Sequence, residues 1–305
     1  MFDSPLSASA YEVLQVEPEA SDEALRKAYR LRLRQSHPDT GGDAAVFIQV
    51  QQAWRLVGTA EARSAYDRGH GFGRVEAPQW SGWHAPAPRR DTRPRARMYG
   101  QPGGRRREQY LGLIREWAGR GVTLTDPYDP ALVRRAPREI RSLLADALAE
   151  EATAHILSEL GMGYTVWHDV AAGHRPNEKI DHIVLAPSGL YGILSEDRGG
   201  PVRTRRGELI GDTVVGTPIA DLVAGIRTVA RDGRVRFGAA IVVLPDDDVL
   251  EPVAQLGKVR GVRTVVCARG VLGNVLRQGV PGAHEIGGNE IFDVRTRLQQ
   301  VVTFA

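Results

Sequence analysis

The sequence predicts a multidomain chain: a short all-α unit built on a helical hairpin, a flexible linker, and a C-terminal mixed α/β domain. Three observations predict it. Between residues 21 and 57 apolar residues recur every three to four positions, the spacing of one helix face. Residues 71–107 are dense in Pro, Gly and Arg and show neither helical nor strand periodicity. Beyond residue 108, short β-branched and aromatic runs first follow one another and then alternate with helical stretches. A chain of 305 residues has room for two modest domains and a linker.

The N-terminal unit, residues 8–70, opens with the apolar-periodic "SASAYEVLQV". Ser21 then offers a helix N-cap, with Asp22 and Glu23 where the helix dipole favours acids. Leu25, Tyr29 and Leu33 recur every fourth residue on one face, and Arg26, Arg30 and Arg34 repeat that spacing as a basic stripe about 100° further round. The helix ends near Ser36, because Pro38 disfavours helical geometry for the residue before it. After "HPDTGGD", Phe47, Val50, Trp54 and Val57 form a second apolar stripe. The two stripes close an antiparallel hairpin with His37, Pro38 and Asp39 at its tip.

The stretches "YEVLQV", "DEALRKAYR", "HPDTGG" and "FIQVQQAWRLVGTAEARSAYDRG", in that order, resemble a J-domain, the module that defines DnaJ-type co-chaperones. The resemblance implies binding to the ATP-bound form of a DnaK-type seventy-kilodalton heat-shock chaperone and stimulation of its ATP hydrolysis. It makes His37, Pro38 and Asp39 the tripeptide needed for stimulation. It also makes Arg26, Lys27, Arg30 and Arg34 the basic face that meets an acidic surface of the partner. Arg32 departs from the pattern, standing where an apolar residue is usual; it either snorkels or marks a slight shift of register. The Gly/Phe-rich region and the Cys-x-x-Cys repeats of full-length DnaJ proteins are absent from the sequence.

Residues 71–107 are expected to be an extended, solvated tether, because Pro removes backbone donors and the Arg cluster repels itself. The segment carries nine Arg against two acids and accounts for the chain's net charge of +3. Arg89, Arg90, Arg93, Arg95, Arg97, Arg105, Arg106 and Arg107 would bind nucleic-acid phosphates without sequence preference; a plain tether is the favoured reading.

In residues 108–305, "PREIRSLLADALAEEATAHILSELG" reads as a long amphipathic helix, and "YTVWHDV", "KIDHIVLA" and "LYGILS" as strands. Then come the helical "TPIADLVAGIRTVARDG", the strand-like "GAAIVVLP" and "VRTVVCA", and a short helical end. The stretches "YTVWHDV" and "IDHIVLAPSGLYGILS", with Gly200 and "GTPIADL" more loosely, resemble a nuclease-related domain of the NERD type, whose fold is that of restriction endonucleases. The resemblance implies a Mg²⁺ site of a helix acid, a strand acid and an acid-x-Lys pair. By position Glu151 is the helix acid, Asp181 the strand acid, and the pair falls at Leu194 and Glu196. Leu194 cannot bind a metal, and Glu196 inverts the charge that should meet phosphate. The expectation is a non-catalytic domain, a co-chaperone rather than an enzyme, with no cofactor. In the alternative, a nuclease with a displaced Mg²⁺ site, Lys179 and Glu196 rebuild the set beside Asp181.

Other polar residues read as structural. His168, His174 and His182 match no zinc spacing and are taken as ordinary polar residues. Asp246, Asp247 and Asp248 are taken as a solvated turn. The N-terminus lacks the basic and apolar regions of a signal peptide, no apolar run spans a bilayer, and Cys267 is the single cysteine. These features point to the cytoplasm and to no membrane partner, and the preference for Arg over Lys to a bacterial source.

Overall fold

The computed structural model describes residues 4–70, 94–119, 121–173, 178–210 and 217–305. Four helices make the N-terminal unit: α1 (Ala10–Leu14), α2 (Asp22–Gln35), α3 (Ala44–Val57) and α4 (Ala60–His70). Ser9 and Glu12 close a capping box on α1, and Ser21 caps α2 through the backbone N–H of Ala24. The expected stripes meet in one core of Tyr11, Leu14, Leu25, Val50, Ala53, Val57 and Tyr66. Each fully buried aliphatic side chain there contributes about 1.5–3 kcal/mol. Tyr29 stacks on Trp54 with ring centroids 4.4 Å apart, joining α2 to α3. Arg63 on α4 reaches back to the carbonyls of Pro18 and Ala20 and to Asp22, tying the loop before α2. Arg32 is half-buried and its Nε donates to the Val13 carbonyl at 3.3 Å, so its stem lies along the core.

The C-terminal domain begins earlier than expected. Residues Arg97–Tyr99 form β1, and α5 runs over Gly104–Ala118, followed by α6 (Pro130–Arg135) and α7 (Arg138–Ser158). The tether therefore does not extend to 107: β1 pairs in parallel with the next strand, and α5 packs on α7. A three-residue strand carries no readable period, and three successive Arg at the start of α5 look like solvated charge until the α7 partners of Arg106 and Arg107 are known. Arg89, Arg90, Arg93 and His174 lie outside the described residues.

Then follow β2 (Thr165–Ala171), β3 (Lys179–Ala186), β4 (Gly189–Ser195), β5 (Arg203–Arg205), β6 (Glu208–Ile210), α8 (Pro218–Gly233), β7 (Ala239–Leu244), β8 (Val253–Val259), β9 (Val262–Ala268), α9 (Leu272–Gln278) and α10 (Glu290–Val301). The seven-stranded mixed sheet has the order β1-β2-β3-β4-β7-β9-β8, and β5 and β6 form a separate hairpin. Helices cover both faces. Ile219, Leu222, Val223 and Ile226 of α8 and Leu298 of α10 pack in one core, while Leu157 of α7 and Leu272 and Leu276 of α9 pack in the other.

Strict alternation breaks near one end of β2 and β3. Trp167 and Val170, three apart, both join the core beneath α8, and so do Ile180 and Ile183. A period of two would send one of each pair to the opposite face. The break coincides with Asp169, whose φ of 53° lies in the left-handed region. Lys179, Asp169 and Asp181 thereby converge toward α7.

Candidate functional site

Two constellations of charged residues stand out. The first is the hairpin tip. Ser36 caps α2, and His37 adopts φ −66°, ψ 127°, the extended geometry its proline neighbour imposes. Pro38–Thr40 then make one 3-10 turn. His37 Nδ1 accepts from the Asp39 backbone N–H at 3.2 Å, and its ring meets the Phe47 ring edge-on with centroids 5.0 Å apart. The tripeptide is thus braced against α3 while the Asp39 side chain remains 87 % exposed. Behind it the chain doubles back so closely that a Cβ at Gly42 would lie 2.3 Å from the Ser36 carbonyl carbon. Arg26, Lys27, Arg30 and Arg34 are exposed along α2.

The second lies between α7 and the sheet. The Lys179 side chain is only 3 % exposed, and its ammonium sits 2.6 Å from Glu150 Oε1, 2.9 Å from Asp169 Oδ1 and 3.0 Å from Asp181 Oδ1. Each carboxylate turns its other oxygen to a backbone N–H: Gly103 on Glu150 at 3.0 Å, Arg105 on Asp169 at 3.3 Å, Ser195 on Asp181 at 2.8 Å. Burial works against the Lys179 charge, but Asp181, Glu150 and Asp169 outweigh it and hold the ammonium protonated. Burial, and then the charge of Asp181, pushes Glu150 up to about 8. Beside them Glu196 pairs with Arg198, and Asp146 lies 3.9 Å from Arg106. Burial raises Glu196 to about 8 and raises Asp146 as well.

The structure corrects several expectations. Glu151 is not the inward acid: it pairs with Arg107 Nε at 2.8 Å on a partly exposed flank, and its neighbour Glu150 faces the sheet. Glu196 is held by Arg198 and is not among the three acids around Lys179. Leu194 packs against the core under α8. Asp181 and Lys179 do share a cluster, as their spacing predicts. Asp169 is a participant that sequence reasoning missed. His168 and His182 are buried rather than ordinary polar residues: their Nδ1 atoms lie 2.7 Å apart, and His182 Nε2 is 3.1 Å from Ser195 Oγ. That contact requires one Nδ1 to donate and the other to accept, so at most one of the two rings can carry a charge. Burial lowers His168 to about 4, and burial with the neighbouring His168 lowers His182 well below the usual range. Asp248 is also buried, not solvated, and burial lifts it to about 7.

A Mg²⁺ ion does not fit this cluster. The point where the three carboxylates converge belongs to the Lys179 ammonium, and their remaining oxygens face backbone donors. Among the described residues no group of three or more His, Cys, Asp or Glu is placed to hold a metal ion.

Comparison with known proteins supports the N-terminal assignment. Residues 9–67 match the DnaJ domain family. The chain is 40 % identical over 63 residues to the tetratricopeptide repeat and J domain-containing co-chaperone DNJ1 of Mycosarcoma maydis, which covers 21 % of this chain and 11 % of that protein. It is 43 % identical over 58 residues to DnaJ protein homolog 2 of Allium porrum, 19 % of this chain and 14 % of that one. It is 34 % identical over 82 residues to the curved DNA-binding protein of Pseudomonas syringae pv. tomato, 25 % of this chain and 26 % of that one. The chain thus spans about a quarter or less of these relatives. Residues 9–67 are a J-domain, and the C-terminal domain is a mixed α/β unit.

Proposed function

We propose that this chain is a cytoplasmic J-domain co-chaperone that docks on a DnaK-type chaperone and stimulates its ATP hydrolysis. The observation that carries this reading is the His37-Pro38-Asp39 turn, braced from behind and open to solvent, beside the exposed Arg26, Lys27, Arg30 and Arg34. Exposed charges of this kind steer encounter and set register more than they add affinity. The turn positions Asp39 for the partner's ATPase machinery.

The C-terminal domain is a NERD-like unit that does not cleave nucleic acid and instead selects a client or a location. The Lys179 ammonium at the centre of the cluster supports this over the nuclease alternative, which needs that point free for a cation.

Single-turnover ATP hydrolysis by a bacterial DnaK tests the proposal. The full chain stimulates the rate, Asp39→Asn abolishes stimulation, and Arg30→Ala raises several-fold the concentration needed for it. Equal stimulation by wild type and Asp39→Asn would refute the reading.

A further inference from the structure

Two hairpin turns of the same type lie side by side on the C-terminal domain. In the β5–β6 hairpin Arg205 pairs with Glu208, leaving a two-residue loop, Arg206-Gly207. In the β8–β9 hairpin Val259 pairs with Val262, leaving Arg260-Gly261. All four loop residues have positive φ: 52° and 81° in the first, 48° and 87° in the second. Such turns favour Asn, Asp or Gly at the first position, because other side chains meet the backbone there. Arginine in that place twice is a local cost that turn chemistry does not explain, and strain of this kind points to use.

The turns abut, since a Cβ at Gly207 would lie 3.0 Å from Val259 Cγ2. Between them runs a groove of about 730 Å³ whose charged lining is Arg205, Arg206, Lys258, Arg260 and Glu208. The four cations are exposed, and among the described residues none of them forms an ion pair. Glu208 offsets only one of the four, and its carboxylate is turned to the backbone N–H groups of Ile219 and Ala220 at 3.2 and 2.9 Å, capping α8. Leu256 and Val259 pack against the core beneath, so the walls are firm.

We infer that this groove grips the phosphate backbone of double-stranded nucleic acid without regard to base sequence. Arg205, Arg206, Lys258 and Arg260 neutralise phosphates, and the Thr204 and Thr217 hydroxyls that also line the groove add neutral donors. No aromatic side chain lines it, so it offers no platform on which single-stranded bases could stack. An acidic protein partner would be expected to find an exposed apolar centre ringed by charge, and this groove has none. The inference stands apart from the chaperone reading: it concerns where the chain is held, not what the J-domain does there.

Fluorescence anisotropy of the full chain tests it, with labelled DNA and RNA duplexes of about 20 base pairs and mixed sequence, across roughly 50–200 mM salt. Four phosphate contacts should weaken binding on the order of 100-fold over that range. The variant Arg206→Asn/Arg260→Asn puts the favoured residue at each turn, so its thermal midpoint should hold or rise while binding falls at least about tenfold and the salt slope flattens by about two. Arg115→Asn/Arg138→Asn, on helices at the other face of the sheet, should bind as wild type. Binding of either duplex supports the inference, and the DNA-to-RNA ratio identifies the source of the phosphates. Wild-type affinity in the double-turn variant overturns it, including the case where substitution of Arg89, Arg90 and Arg93 abolishes binding instead. So does competition by polyglutamate as effective, charge for charge, as unlabelled duplex.

Discussion

Asp39 at the hairpin tip is 87 % exposed: its backbone N–H is held by His37 Nδ1, and its carboxylate lies 3.7 Å from that ring yet stays open to water. Asp181 on β3 is 5 % exposed, with one oxygen on Lys179 and the other on the Ser195 N–H. The same side chain thus serves two ends. At the tip, water remains the carboxylate's main partner, so the group is available to another protein and adds little to folding. At the sheet, desolvation has been met by neighbours, so the group is committed to the fold and has nothing left for a ligand. Charge density alone does not separate a binding site from a structural cluster; the fate of each oxygen does.

The sharpest way to break this comparison is to remove the ammonium. Lys179→Ala leaves three buried acids facing one another and should cost about 3–5 kcal/mol of stability in urea unfolding. Asp39→Asn should change stability by no more than about 0.5 kcal/mol while it abolishes ATPase stimulation. A Lys179→Ala cost near that of Asp39→Asn would mean that water reaches the cluster and that its oxygens are not committed. The same variant tests the metal question. With the ammonium gone, Mg²⁺ should raise the unfolding midpoint of Lys179→Ala by mass action and leave wild type unmoved.

Glu150→Ala comes next. It strips Lys179 of one partner and leaves the Gly103 N–H without its acceptor, for a loss of about 1–3 kcal/mol. Its readout is the same unfolding curve, and an unchanged midpoint would show that the loop before α5 is held by other contacts.

The pH dependence sharpens the comparison further. Glu150 and Glu196, raised to about 8, bind more protons folded than unfolded between their ordinary range and pH 8. Their stabilisation is present below the unfolded value and is lost as pH rises through 8. His168, lowered to about 4, and His182, lowered further, act in the other direction: the unfolded chain takes up protons first, so stability falls as pH drops below the ordinary histidine range. The two trends oppose one another in mildly acidic solution. Above that, only the carboxyls act. Stability of the C-terminal domain should therefore decline from about pH 6.5 to pH 8, by up to about 1.4 kcal/mol per pH unit for each proton released. Glu196→Gln, which cannot lose a proton, should flatten the decline. An unaltered slope would place the titrating proton elsewhere.

Much of the J-domain was legible because its signals are local. Ser21, the i, i+4 stripe of Leu25, Tyr29 and Leu33, and Pro38 each act within a turn or two of themselves, and α2 begins and ends where they place it. The principal strands and the long helix of the C-terminal domain were legible for the same reason. The charged cluster was not. Its members come from α7, β2 and β3, and its backbone donors from the loop before α5, the first turn of α5 and the end of β4. Asp169 enters only because its positive φ breaks the strand's alternation, and a sequence read with period two sends it to the wrong face. The start of the domain at β1 was hidden likewise, since Arg106 and Arg107 look solvated until Asp146 and Glu151 are known to face them.

Consecutive glutamates give the smallest effect and the finest test. The buried positions of α7 include Ile140, Leu144, Ala147, Ala154 and Leu157. From Ala147 the next inward residue is three or four places on, so the apolar phase admits Glu150 and Glu151 equally. The structure selects Glu150 and leaves Glu151 38 % exposed on Arg107. A partly solvated pair of this kind is worth about 0.2–1 kcal/mol once screening is allowed for. Glu151→Ala should therefore lower stability by no more than that, and added salt should erase the difference from wild type. Glu150→Ala should keep its larger loss in salt, because a buried group is screened far less. If instead Glu151→Ala gave the larger, salt-resistant loss and Glu150→Ala the smaller, salt-erased one, α7 would be rotated by one residue relative to the sheet, and the carboxylate facing Lys179 would be the neighbour.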